Sequence, residues 1–417
     1  MNKFFQNKYI CAKCRKILDV DELLYVCRNK KVPHPTDDGG KQDMYSSYES
    51  TVGEKNITGS LYYFTQPQLK GFKTSGKFSR CPICKKGTKE IVCPDCKKPI
   101  SVAPRRETIS ITGIKSSGKT VYIASMIKEL QDFFDERGVV CRIDANYMED
   151  YSKYYNFHVG QPLPGGTPKG VRDPIILHIA ADQPDALDLI IYDIAGESLV
   201  ASDNYDVDED FRHLALSSMV VYLFDPLQGG HVNSNDEMVK SLKKEHKNIV
   251  DKPTEDKNGN KAEIDMQDYQ HSDRAIISFM TENIIRIIEQ ECQVDLKGHV
   301  PVKIAPTISL IDTIKHLYEG KDDCFCKPVD YSDGIPGGMQ RKINKSIKKL
   351  LKNEWGESIS EFKNYEEAAY FGVSSLGCPP AEKNTLPETY TPVNVVNPIV
   401  WLLERNGSMP KRRKKDD

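Results

Sequence analysis

The sequence predicts an α/β fold built on a mostly parallel sheet, with a smaller metal-held segment ahead of it. Three observations carry this. From residue 105 to 406, strand-like apolar runs alternate with segments of helical periodicity, the pattern of parallel strands joined by crossover helices. Between the first such run and the first such helix lies Gly113-Ile114-Lys115-Ser116-Ser117-Gly118-Lys119-Thr120. Before residue 100, six of the twelve cysteines fall in three C-x-x-C pairs.

A chain of 417 residues has room for two or three domains, one with a large core. Lys and Arg (58) nearly balance Asp and Glu (60), so whole-chain charge singles out neither nucleic acid nor a membrane surface as partner. No apolar run reaches the roughly eighteen residues of a membrane span, and the amino terminus lacks a signal-peptide core. The expectation is a soluble, cytoplasmic protein, in which paired cysteines favour metal over disulfides.

Residues 1–104 are read as a zinc-binding domain with a long polar insertion. Cys81-Pro82-Ile83-Cys84 and Cys93-Pro94-Asp95-Cys96 are two knuckles whose four thiolates can surround one Zn²⁺ tetrahedrally. A thioredoxin-type redox pair is the alternative, but the motif is doubled and has no βαβ context. Cys11 and Cys14 form a further half-site. Cys27 follows, and His34 is the nearest residue able to complete a Cys₃His set, although its Pro-His-Pro setting equally suits a surface turn. Cys11 and Cys14 could instead pair with one of the later knuckles, and spacing leaves that choice open. The metal would be structural in either case, because so short a segment buries little apolar area. The ribbon could bind protein or nucleic acid.

Residues 105–406 are read as a P-loop domain. The loop fits G-x-x-x-x-G-K-[ST], whose glycines let backbone N–H groups curl around a phosphate chain. Glu107–Thr112 alternates as a strand ahead of it, while Ile123, Ile127, Leu130 and Phe134 mark a helix whose amino end faces the anion. Lys119 would reach the outer phosphates and Thr120 would hold Mg²⁺, with Gly113, Ser116, Ser117 and Gly118 forming the cradle. Gln161–Gly170 is too rich in Pro and Gly for regular structure. Ile175–Ile179 and Leu187–Tyr192 are strands joined by a turn at Asp182–Asp185, and the second runs into Asp193-Ile194-Ala195-Gly196-Glu197. An Asp in that place can hold Mg²⁺ through water, and Gly196 can offer its N–H to a terminal phosphate.

This order of P-loop, threonine-bearing loop, strand pair and D-x-x-G resembles the Ras-like GTPases of the TRAFAC class. With zinc knuckles ahead of it, the chain resembles the bacterial double-GTPase group, over most of residues 81–405. The resemblance implies GTP/GDP and Mg²⁺ as ligands and Thr167 as the switch threonine closing on Mg²⁺ and the γ-phosphate; otherwise Thr167 belongs to an ordinary turn. Glu197 stands where such proteins carry a water-orienting Gln. A carboxylate there is electrostatically awkward, so hydrolysis is expected to be slow or partner-assisted unless Glu197 simply faces solvent. Asp312 of Ser309-Leu310-Ile311-Asp312 is implied as the guanine reader although the customary Lys is missing; the other reading is a helix cap. Ser374, Ser375 and Leu376 resemble the loop beside the base. The resemblance implies an association with bacterial defence or conflict systems, and protein partners are expected.

Met219–Phe224 reads as a buried central strand ending at Asp225-Pro226, and Ile276, Met280, Ile284 and Ile288 mark a covering helix. Helix 339–355 has a basic face (Arg341, Lys342, Lys345, Lys348, Lys349, Lys352) that suits nucleic acid, an anionic surface or plain solvent. Asn397-Pro398 starts a closing helix, and 407–417 reads as a basic disordered tail. The functional expectation is a GTP-hydrolysing switch. Its rivals are an ATPase and a hydrolysis-poor nucleotide-loaded scaffold.

Overall fold

The computed structural model describes residues 3–5, 8–29, 62–65, 79–114, 116–144, 157–164, 173–194, 212–228, 236–250, 254–255, 261–262, 269–318, 324–331, 334, 336–380 and 384–413. The chain forms two compact units, Phe5–Ala103 and Pro104–Asp417 together with Met1–Phe4.

The smaller unit is built from short hairpins. β1 (Tyr9–Ile10) pairs with β2 (Ile17–Leu18), each strand flanking the first C-x-x-C pair. β3 (Leu24–Cys27) lies between β4 (Tyr62–Thr65) and a later strand, β7 (Ile91–Val92). β5 (Ser79–Arg80) and β6 (Gly87–Thr88) enclose the second pair. The core is small: Leu18, Leu23, Tyr25, Phe64, Ile91 and Ile100 close over the buried Cys11, Cys81 and Cys93. So little apolar area needs a further constraint to hold it.

In the larger unit the main sheet runs, among the described residues, β16 (Tyr365–Ala368), β15 (Val300–Ile308), β12 (Met219–Phe224), β8 (Arg105–Gly113), β11 (Leu187–Asp193), β10 (Ile175–Ile179) and β9 (Cys141–Ile143), with β17 (Phe371–Gly372) added against β15. β13 (Thr254–Glu255) and β14 (Lys261–Ala262) pair apart from it. At its centre β8 (Arg105–Gly113) lies parallel to β11 (Leu187–Asp193) on one side and to β12 (Met219–Phe224) on the other. β15 (Val300–Ile308) continues parallel beyond β12, followed by β16 (Tyr365–Ala368) and β17 (Phe371–Gly372). Only β10 runs against the others, pairing antiparallel with β11 on one side and with the edge strand β9 on the other. Seven consecutive residues of β8 and all six of β12 are buried. Successive side chains point to opposite faces, so both faces of the sheet are covered. That is why Thr108, Ser110 and Thr112 are buried along with Ile109 and Ile111. Ser110 finds its partner in Ser217 at 2.7 Å.

α1 (Lys119–Glu136) buries Ile123, Ile127, Leu130 and Phe134, the spacing the sequence shows, together with Tyr122 and Met126. The short α2 (Arg212–Leu216) and the long α4 (Tyr269–Cys292) pack on each other, with Ile276, Met280, Ile284 and Ile288 buried. α3 (Glu237–Val250) was not read from the sequence, because its surroundings are polar; Asp236 caps it through Val239 N–H at 3.0 Å. α5 (Ile311–Ile314), α6 (Gly337–Trp355) and α7 (Asn397–Arg405) complete the helices used below. No helix among the described residues is long and apolar enough to cross a membrane.

The carboxyl-terminal segment departs from its sequence reading. Residues 407–413 are not a loose tail. Buried Glu107 accepts from Ser218 at 2.5 Å, from Asn406 at 3.1 Å and from Ser408. Asp185 accepts the Lys411 N–H at 2.8 Å and pairs with Arg413, whose own N–H reaches the Arg137 carbonyl at 2.8 Å. Carboxylates distant in sequence recruit a segment whose composition alone suggests solvent. Residues 414–417 lie outside the described residues.

Candidate functional site: a glycine-bounded loop and two thiolate clusters

β8 is the point where the chain switches sides of the sheet: the next parallel strand, β11, lies to one side and β12 to the other. In open α/β sheets the crevice at the carboxyl ends of strands beside such a switch is where ligands bind. The loop Gly113–Thr120 occupies that place.

Its shape follows from backbone sterics. Gly113 has φ +150°, and a Cβ there would lie 2.5 Å from the Leu223 carbonyl oxygen and 3.0 Å from Ser117 Oγ. No side chain fits. Ser116 (φ 63°) and Gly118 (φ 79°) are both left-handed, which turns the chain sharply into α1. Lys119 is buried and folds back over the loop, its Nζ donating to the Gly113 carbonyl at 2.7 Å and the Ile114 carbonyl at 3.0 Å. Ser117 Oγ is buried with no hydrogen-bond partner among the described residues. Thr120 is buried in the first turn of α1. An ammonium, an orphaned hydroxyl and the N–H groups of a helix start thus converge where an anion can sit. Lys115 lies outside the described residues.

Asp193 closes β11 in register with Ile111 of β8, at the same end of the sheet as the loop. Thr167, Gly196 and Glu197 lie outside the described residues. The corner after β15 approaches the cradle: a Cβ on Gly118 would meet Leu310 Cδ2 at 3.8 Å. Ser309 ties that corner to β12, its N–H and hydroxyl both donating to the Phe224 carbonyl, at 2.9 and 3.0 Å. Leu310 is left-handed (φ 52°) and precedes α5, so Asp312 stands inside the first turn and is not the cap residue. Ser374 Oγ donates to Asp312 Oδ1 at 2.5 Å and accepts the Gly377 N–H at 2.8 Å. Ser375 and Leu376 are buried in the same loop. The structure therefore joins the two segments that the sequence separates.

One buried acid escaped the sequence reading. Asp273 of α4 accepts from Tyr222 Oη at 2.6 Å and from Trp355 Nε1 at 2.8 Å. Burial pushes its carboxyl up to about 6; the two donors oppose this, Asp225 adds to it, and the Lys119 charge draws it down. Asp273 thus lies within electrostatic reach of the loop lysine. The signal is weak in sequence, an Asp at the polar start of an amphipathic helix.

The cysteines group otherwise than the spacing of 81–96 suggests. Cys11, Cys14, Cys93 and Cys96 form one set with sulfurs within 4.8 Å of one another, and Cys27, Cys81 and Cys84 form another. The knuckles are nested: the outer pairs close on each other, and the inner pair closes on Cys27. The reason is the pairing of β3 with β7, which folds the segment back on itself. Each knuckle repeats one geometry that the sequence also repeats, C-x-x-C followed by two basic residues. Arg15, Lys85 and Lys97 are left-handed (φ 60°, 62° and 57°). Their N–H groups return to the carbonyls of Cys11, Cys81 and Cys93 at 2.8, 3.0 and 3.1 Å. Sulfur separations of 3.4 Å (Cys11–Cys96), 3.5 Å (Cys14–Cys93) and 3.5 Å (Cys27–Cys84) approach the edge of about 3.8 Å expected for a tetrahedral Zn–S site with ~2.3 Å bonds. Burial pushes the bare thiols of Cys14 and Cys27 up to about 11 and about 12. Thiolates gathered in such a place need a cation among them, and the sets can hold zinc. His34 lies outside the described residues.

No family model matches this chain. Over 149 residues it is 25% identical to the putative ESX-1 scaffolding and assembly protein SaeC of Mycolicibacterium smegmatis, covering 33% of this chain and 38% of that protein. The chain thus spans little more than a third of that relative's length. Among solved structures it is similar to the signal recognition particle receptor SRb-GTP/SRX complex from Chaetomium thermophilum. That match has a TM-score of 0.25 and 11% identity, over 66% of this chain and 93% of the other, a likeness too loose to bear on the fold.

Proposed function

We propose that the chain is a Mg²⁺-dependent guanine-nucleotide switch that hydrolyses GTP to GDP and works with protein partners. The observation that carries this reading is Lys119 folded onto the carbonyls of Gly113 and Ile114, beside the orphaned Ser117 hydroxyl, at the carboxyl end of the central strand. In this reading a triphosphate draws Lys119 off the carbonyls, and the N–H groups at the start of α1 face its oxygens. Thr120 and Asp193 hold Mg²⁺, the latter through water, with Thr167 joining them. When bound, the ion neutralises phosphate charge as it develops. Gly196 meets the terminal phosphate and Glu197 stands beside the attacking water, a poor orienter that keeps turnover slow. Asp312, steadied by Ser374, reads the base, with Ser375 and Leu376 lining it. The smaller unit holds Zn²⁺ in its thiolate sets, one ion in each.

The test is titration of the full chain with GTP, ATP and XTP in Mg²⁺, native against Lys119→Ala and Asp312→Asn. The reading expects GTP to bind best, Lys119→Ala to abolish binding, and Asp312→Asn to move preference towards XTP. Binding of ATP alone, or no binding at all, overturns it.

A second reading is a nucleotide-loaded scaffold that hardly hydrolyses. It is supported by the similarity of part of the chain to the mycobacterial putative scaffolding and assembly protein. Single-turnover hydrolysis separates the two, because a scaffold retains its γ-phosphate throughout the assay.

A further inference from the structure

α6 carries a charge asymmetry that nucleotide binding does not use. It buries Gln340, Ile343, Ile347, Leu350 and Leu351 against the rest of its unit. Arg341, Lys342, Lys345, Lys348, Lys349 and Lys352 are all exposed. At about 100° per residue these six fall within a sector of roughly 120°, opposite the buried stripe. The helix's single acid, Glu354, projects outside that sector. None of the six side chains makes a hydrogen bond or ion pair among the described residues. A chain with a net charge of −2 has thus gathered six positive charges, unpaired among the described residues, along one helix face.

We propose that this face binds the phosphate backbone of double-stranded nucleic acid without reading its sequence. Arg341 to Lys352 spans about 16 Å at ~1.5 Å per residue, a length over which a duplex presents about ten phosphates. Six cations therefore meet more charge than they can neutralise. The sector holds no aromatic platform, which disfavours a single strand recognised by base stacking. It also holds no apolar side chain to enter a bilayer, the feature that interfacial helices add to their basic face. A protein partner would need an apolar anchor at the centre of the contact, and the stripe offers none. Bare charge flanked by the amides of Asn344 and Asn353 matches phosphate and sugar contact.

The experiment is fluorescence anisotropy of the full chain with a labelled duplex of about twenty base pairs, between about 50 and 200 mM salt. Six contacts give a slope of log K against log salt near −5, a loss of about a thousandfold across that range. Lys345→Ala, Lys348→Ala and Lys352→Ala together lower the slope to about −3. Alanine at Lys244, Lys297 and Lys363, exposed lysines elsewhere in the same unit, removes equal charge and leaves the slope unchanged. Thermal melting confirms that both triple variants are folded. The proposal fails if the two triples behave alike, if the helix variant binds as the native chain does, or if only vesicles containing phosphatidylserine are bound.

Discussion

Ser374 donates its hydroxyl hydrogen to Asp312 at 2.5 Å across 62 positions of the chain, joining the corner after β15 to the loop after β17. The same oxygen accepts the Gly377 N–H, and the backbone of Ser374 bridges Val393. An isolated carboxylate on a short helix would sample several rotamers. This one is held with one oxygen engaged and the other turned to its surroundings.

Ser374→Ala removes that restraint. A hydrogen bond to a charged acceptor contributes about 1.5–3 kcal/mol, so GTP affinity is expected to fall at least about tenfold. Titration with a fluorescent guanine nucleotide measures it, with ATP as reference. Equal loss for both nucleotides would mean that the contact does not serve base recognition.

Gly113 tests the cradle by steric means. With φ +150° and a Cβ position only 2.5 Å from a backbone carbonyl of β12, Gly113→Ala forces the loop and strand apart. The expected destabilisation is about 1–3 kcal/mol, read as a lower urea midpoint at unchanged slope, and nucleotide binding weakens with it. An unaltered midpoint would contradict the close approach.

The nested cysteine sets predict separable metal losses. The native chain should release two Zn²⁺ to a chromogenic chelator after thiol modification, and Cys11→Ser and Cys27→Ser should each reduce this by one. Were Cys81, Cys84, Cys93 and Cys96 to share a single ion, Cys11→Ser would leave that ion in place. Chelation of the native chain should also unfold the small unit, since its core holds few large side chains.

His178 of β10, one strand in from the sheet edge, is bracketed on Nδ1 by Asp188 at 2.7 Å and on Nε2 by Asp144 at 3.2 Å. With a carboxylate on each nitrogen, both must donate, and the ring is an imidazolium. Hydrogen bonds to Asp144 and Asp188 raise its folded value from 6.5 to about 10. A raised histidine contributes stability that is fully present below its unfolded value of 6.5 and is lost as pH rises through about 10. Melting temperatures of the native chain should therefore fall between these limits by more than those of His178→Gln. Parallel pH profiles would refute the bracket.

The candidate cradle was legible because its chemistry is local. Gly113, Gly118 and Lys119 are dictated within one turn of chain, and α1's apolar spacing survives any arrangement of its neighbours. The knuckles were legible one by one for the same reason. Their partners were not, because which thiolate faces which depends on β3 pairing with β7. The short apolar stripe of α3 (Val239, Leu242, Ile249) is obscured by the charged residues between its members and by the polar stretch after it. The basic composition of 407–413 pointed to solvent because nothing nearby in sequence reveals Glu107 and Asp185 as its acceptors.

Alone, then, the sequence determined the alternation of strand and helix, the glycine-rich turn ahead of α1, and which cysteines can bind metal. Tertiary structure decided the rest: the nesting of the thiolates, Asp273 held between Tyr222 and Trp355, and Ser374 against Asp312. The division has one cause. Backbone sterics and periodicity act over a few residues, whereas a hydrogen bond between distant segments exists only after the sheet has set their register.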